Sequence, residues 1–131
     1  MSPRILVADD NTTTRKVIQT LLVASGFDVE LAADGAQALE RLLARPGGFD
    51  LSLLDVHMPS LTGLEVLFQL KSAGMAVPSI LMTGHPSKAL ESAALEAGAR
   101  TVLRKPIPAE VLRLTIRQII HEIGPANGPQ Q

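Results

Sequence analysis

ILVADDNTTTRKVIQTLLVASG, residues 5–26, contains the repeating unit of the whole chain. The apolar run Ile5–Ala8 stops at Asp9, and a run this short, ended by polar residues, favours a strand over a fragment of helix. Thr12 to Ser25 then carries Val17, Ile18, Leu21 and Leu22 on one helical stripe, and Gly26 follows where a left-handed C-cap is wanted. The same unit recurs along the sequence. LSLL (51–54) runs into Asp55, SILM (79–82) into Thr83 and TVL (101–103) into Arg104 and Lys105, while Phe27 to Ala32 forms another run with Glu30 in its middle. Helical periods separate them: Ala36 to Ala44 with Leu39, Leu42 and Leu43, then Gly63 to Ala73, Ser87 to Ala97 and Pro108 to Ile123.

The punctuation agrees with this alternation. Gly74 and Gly98 sit just past helices as Gly26 does, Thr62 and Glu65 are spaced as a capping box, and Pro108 suits the first turn of the last helix. Strands alternating with helices imply a parallel sheet with right-handed crossovers and helices on both faces. The strands at 5–8, 51–54 and 79–82 are nearly all apolar, as central strands buried on both faces should be. Those containing Glu30 and Thr101 alternate in polarity and belong at the edges. The expectation is an α/β, doubly wound, five-stranded sheet of order 2-1-3-4-5, flavodoxin-like, with five helices on two faces.

At 131 residues, 46% hydrophobic and 19% charged, the chain is expected to form one globular domain over 1–124, with the Pro/Gly/Gln-rich 125–131 as a disordered tail or the start of a linker. A net charge of −1 and the absence of Trp and Tyr argue against nucleic acid or an anionic membrane as a direct partner. The absence of Cys excludes disulfides, thiolate zinc sites and thiol nucleophiles. No apolar leader can be drawn at the N-terminus, and no apolar stretch reaches the ~18 residues of a membrane span. A cytoplasmic protein is the expectation.

In a doubly wound sheet the ligand site lies beyond the carboxyl ends of the strands. The residues there are Asp9, Asp10, Asp55, Thr83 and Lys105. Clustered carboxylates raise one another's pKa and are stable together mainly when a cation neutralises them. An all-oxygen donor set suits a hard ion such as Mg²⁺ rather than zinc. A phosphoryl group at this rim would meet the metal, the Lys105 charge and the Thr83 hydroxyl, with one aspartate as nucleophile in an acyl-phosphate reaction.

ILVADDN, LLDVHMPSLTGLEVL, ILMTGHP and AGARTVLRKP, in this order and at these spacings, resemble the receiver domain of two-component response regulators from Arg4 to about Ile123. The resemblance implies that Asp55 accepts a phosphoryl group from the phosphohistidine of a histidine kinase or histidine phosphotransfer protein, or from a small phosphodonor. It implies Asp10 as a direct Mg²⁺ ligand, Asp9 as a ligand through water, and the backbone carbonyl of His57 as completing the metal site. Thr83 senses the phosphoryl group, Lys105 pairs with it, and Lys105-Pro106 is a cis peptide, which an X-Pro bond permits. Pro59 and Gly63 shape the loop after Asp55. His57 and His85, two residues past Asp55 and Thr83, stand at positions that influence phosphoryl lifetime in the family. Imidazole changes charge near neutral pH, so that lifetime is expected to depend on pH. One departure is Val102, where the family usually has the aromatic residue of its switch.

The sequence is also similar to receivers of hybrid histidine kinases, which relay phosphate to another histidine. From other classes, a haloacid dehalogenase-type phosphatase needs an acid where His57 stands, and a non-phosphorylated interaction module does not need the intact acidic, hydroxyl and lysine positions. Taken singly, Asp9 and Asp10 fit helix N-caps and Lys105 a solvated charge. Asn11, Thr12, Thr13 and Thr14 are the candidate kinase contact, and the downstream effector is unassigned. A homodimer through the fourth helix, fifth strand and last helix is the candidate assembly; Arg100, Arg104, Arg113 and Arg117 read first as scattered cations on a solvated face and second as partners across that dimer.

Overall fold

The computed structural model describes residues 2–123, so the expected tail at 125–131 lies outside the described residues. Strands and helices alternate: β1 Arg4–Ala8, α1 Thr12–Ala24, β2 Asp28–Ala32, α2 Gly35–Ala44, β3 Leu51–Asp55, α3 Gly63–Ser72, β4 Ser79–Thr83, α4 Lys88–Glu96, β5 Thr101–Arg104 and α5 Ala109–Ile123. All strand pairs are parallel, and the sheet order is β2-β1-β3-β4-β5. The edge strands are the two whose polarity alternates.

Period-two alternation along the central strands divides the interior into two layers. Ile5, Val7, Leu53, Ile80 and Met82 face α1 and α5, which supply Ile18, Leu22, Leu112 and Ile116. Leu6, Ala8, Leu54 and Leu81 face the other way, against Leu42 of α2, Val66 and Leu70 of α3 and Ala94 of α4. Two serines interrupt this apolar interior. Ser52 and Ser79 are buried on neighbouring strands and satisfy each other, their hydroxyls 2.6 Å apart, with Ser79 also 2.8 Å from the Val77 carbonyl.

Local signals set the helix ends. Gly26, Gly74 and Gly98 all have positive φ, and Thr62 and Glu65 form the reciprocal capping box of α3. Three details differ from the sequence reading. Val17 and Leu43 are 61% and 40% exposed, because each stands about 100° around its helix from the core residue after or before it. The N-cap of α1 is Asn11, whose side chain accepts from Thr14 N, and neither Asp9 nor Asp10 fills that role. Pro108 precedes α5 instead of opening it, and its carbonyl accepts from Leu112 N.

Candidate functional site

Parallel pairing in register brings the strand ends together. Ala8 pairs with Leu54, Asp55 with Met82 and Thr83 with Arg104, so Asp9, Asp55, Thr83 and Lys105 emerge along one edge. Each of three strand-end side chains folds back on its own loop. Asp9 Oδ1 accepts from Asn11 N at 2.9 Å, Asp55 Oδ1 from His57 N at 3.2 Å and Thr83 Oγ1 from His85 N at 3.0 Å. Short polar side chains commonly bond backbone two residues ahead in this way, and the bonds hold the oxygens at the rim.

Asp9, Asp55 and Thr83 are buried, whereas Asp10 is exposed. Carboxylate oxygens of Asp9, Asp10 and Asp55 lie within 4.8 Å of one another. Lys105 Nζ donates to Asp9 Oδ2 at 3.0 Å and to Asp55 Oδ2 at 3.2 Å. Burial and then the Asp9 charge push the Asp55 pKa above the ordinary carboxylate value; the Lys105 charge and the Lys105 and His57 hydrogen bonds oppose this without cancelling it. At Lys105, burial pulls the pKa down, but the hydrogen bonds and charges of Asp9 and Asp55 leave it raised. The net result is an acidic cluster with one ammonium for three carboxylates. Its donors are all oxygen, and the set fits a hard divalent cation.

The remaining sequence candidates surround this cluster. His57 and His85 are exposed, with ring centroids 6.1 Å apart in an edge arrangement. Gly63 permits close packing under Asp55: a Cβ there would lie 2.6 Å from the Asp55 carbonyl oxygen. The Lys105-Pro106 peptide is cis. Val102 is half-buried against the layer that holds α4. Asn11, Thr12 and Thr13 are exposed beside the acid pair. Of the four arginines, Arg100 pairs with Glu122 and Arg113 with Glu110 inside the chain.

Sequence reasoning did not single out Arg15, whose guanidinium donates to the Asp9 carbonyl. A basic residue in the first turn after the acid pair was the available signal. It also missed a groove of about 940 Å³ between α1 and the β5–α5 connection, lined by Thr13, Val17, Leu21, Pro106, Ile107 and Leu112. Exposed Val17 is part of that wall.

The chain matches the family model of the response regulator receiver domain over residues 5–117. It is 40% identical over 130 residues to the response regulator MprA of Mycobacterium sp. (strain KMS), covering 98% of this chain and 55% of that protein. The MprA of Mycobacterium bovis (strain BCG / Pasteur 1173P2) is 39% identical over 131 residues, covering 99% of this chain and 56% of the relative. The chain thus spans about half the length of the curated relatives it matches. Among solved structures, a CheY-like response regulator receiver domain protein of Methanospirillum hungatei JF-1 superposes with a TM-score of 0.87 at 28% identity, over 93% of this chain and 96% of that one. A receiver domain protein of Clostridium thermocellum gives 0.85 at 30% identity, over 93% and 97%. Among the described residues, no helix is long and apolar enough to cross a membrane.

Proposed function

The chain belongs to the response regulator receiver family, and from that premise we propose that it is a phosphorylation switch whose acceptor is Asp55. The observation that carries this reading is the convergence of three carboxylates within 4.8 Å of one another, two of them bridged by Lys105. An Asp55 carboxylate oxygen attacks the phosphorus of a phosphohistidine, the P–N bond breaks with its electron pair returning to the imidazole, and an acyl phosphate forms on Asp55. In a separate hydrolytic step water attacks phosphorus, the bond to Asp55 oxygen breaks, the carboxylate is regenerated, and the proton leaves with inorganic phosphate. Asp9, Asp10, Asp55 and the His57 backbone carbonyl would hold Mg²⁺, which neutralises charge on the transferring group when bound. Lys105 supplies a second positive charge, and Thr83, whose oxygen already accepts from His85 N, has its hydroxyl proton to donate. His57 and His85 tune how long the acyl phosphate survives.

The phosphodonor partner is a histidine kinase or histidine phosphotransfer protein. It docks on Asn11–Thr14 and the apolar groove beside α1, which lies next to Lys105. Relatives named response regulators, nearly twice this length, support an output through an effector rather than the onward relay of a hybrid kinase. Self-association uses α4, β5 and α5, where Leu95 and Leu114 are exposed. The setting is the cytoplasm, and neither nucleic acid nor membrane is a direct partner of this domain.

The test is an intact-mass measurement after incubation with Mg²⁺ and acetyl phosphate, with Asp55→Asn alongside. One added phosphoryl group that requires Mg²⁺ and is absent from the variant is the expected outcome. No adduct, together with no change in the amide spectrum on adding beryllofluoride and Mg²⁺, overturns the proposal.

A further inference from the structure

Beside the acidic cluster, the N-terminus of α2 docks on the loop that leaves Asp55. An α-helix leaves its first backbone N–H groups without partners in the helix. In α2 these donors are shared between two parts of the chain. Gln37 N donates to its own N-cap, Asp34 Oδ1, at 2.8 Å. Gly35 N donates to the Pro59 carbonyl at 3.4 Å, and Ala36 N to Ser60 Oγ at 3.0 Å. The loop after the acceptor therefore caps a helix from outside it. Among the described residues, the hydrogen bonds tying loop residues 59–61 to another element all run to this end of α2.

Two local features show how tightly the parts fit. A Cβ on Gly35 would lie 1.9 Å from the Leu61 carbonyl oxygen and 2.6 Å from its carbon, so any other side chain displaces the loop backbone. Ser60 has φ of 69°, and among the described residues it is the one non-glycine with positive φ. That conformation is strained for an L-residue and open to glycine. What serine supplies in return is the hydroxyl that receives Ala36 N. The base of the same loop is held separately, by Gly63 N donating to the Val56 carbonyl at 3.1 Å.

We propose that Gly35 and Ser60 are positioning residues that latch the loop Val56–Thr62 to α2 and thereby set its backbone, including His57, for cation binding beside Asp55. The inference rests on the assignment of the His57 carbonyl to the metal made above. Ser60→Gly removes the hydroxyl while relieving the left-handed backbone, and Ser60→Asn restores a side-chain acceptor on a residue that tolerates that conformation. Mg²⁺ affinity is measured by calorimetry, melting by circular dichroism, and the exchange of the Ala36 amide by NMR. Ser60→Gly is expected to bind Mg²⁺ about tenfold more weakly, as loss of a supporting residue around a metal typically does. Its melting temperature changes little, because the lost cap and the relieved backbone oppose one another. The Ala36 amide exchanges faster, and Ser60→Asn restores both affinity and protection. A Ser60→Gly protein that binds Mg²⁺ as tightly as wild type overturns the proposal. If wild type itself binds no Mg²⁺, the metal assignment fails and exchange alone decides the latch: faster Ala36 exchange in Ser60→Gly sustains it, and an unchanged rate removes it. Gly35→Ala is expected to shift affinity in the same direction, and the Ser60 pair decides the matter should that variant fail to fold.

Discussion

Replacing Lys105 by methionine removes the one ammonium that bridges two carboxylates. Its nitrogen lies 3.0 Å from Asp9 and 3.2 Å from Asp55, whose side chains are 0% and 6% exposed. At an effective dielectric of about 20, each attraction is worth about 5 kcal/mol. Two carboxylates with oxygens at most 4.8 Å apart repel by about 3.5 kcal/mol or more on the same scale. The attractions dominate only while Lys105 is present. Its own dehydration, and screening of a side chain that is 24% exposed, reduce the gross figure. What remains is the cost of breaking a buried pair, about 3 kcal/mol. At roughly 4 °C per kcal/mol for a domain of this size, Lys105→Met in chelator-treated buffer at neutral pH melts about 12 °C lower than wild type. The pH dependence has a definite sign. Burial and Asp9 already hold the folded pKa of Asp55 above its unfolded value, and losing Lys105 raises it further. A group with a raised carboxylate pKa loses stability as pH rises from the unfolded toward the folded pKa. The deficit of the variant therefore shrinks on acidification, as Asp55 becomes protonated in the folded state. Thermal melts followed by circular dichroism at neutral pH and at steps down toward the ordinary carboxylate pKa read this directly. A variant as stable as wild type at neutral pH, or a deficit that does not change with pH, would refute the electrostatic reasoning.

Asp55→Asn removes a charge that burial and Asp9 make unfavourable, so in metal-free buffer at neutral pH it is expected to be more stable than wild type. That advantage fades as pH falls through the folded pKa of Asp55, and urea unfolding at two pH values checks both statements. Leu22→Ala, at a fully buried position, is expected to lose about 2–5 kcal/mol in the same assay. Val17→Ala, at a position 61% exposed in the same helix, changes stability by less than ~0.5 kcal/mol; comparable losses in the two would contradict the assignment of faces. Thr62→Ala breaks the reciprocal cap of α3 and costs about 1 kcal/mol, with faster amide exchange at Glu65 as its local signature.

Much of the fold was legible because its signals are local. Apolar runs ending at Asp9, Asp55 and Thr83 marked the buried strands, Glu30 and Thr101 marked the edges, and glycine or capping pairs marked the helix ends. Finer assignments within helices were less secure. Val17 and Ile18 are adjacent and both apolar, but only the packing of α1 against β1 and β2 chooses which of them is buried. The candidate cluster was equally readable as a set, since an alternating β/α chain places every strand end on one rim.

By itself the sequence determined the order of elements, the class of fold and which residues meet at the strand ends, because these follow from hydrophobic period and chain topology. Only the tertiary structure decided how those residues are paired. That Lys105 reaches both Asp9 and Asp55, and that Ser60 caps a helix 24 residues upstream, are contacts between segments distant in the chain. Hydrogen bonds and ion pairs act over a few ångströms, and no local pattern specifies which distant atoms will come within that range once the two layers close on the sheet.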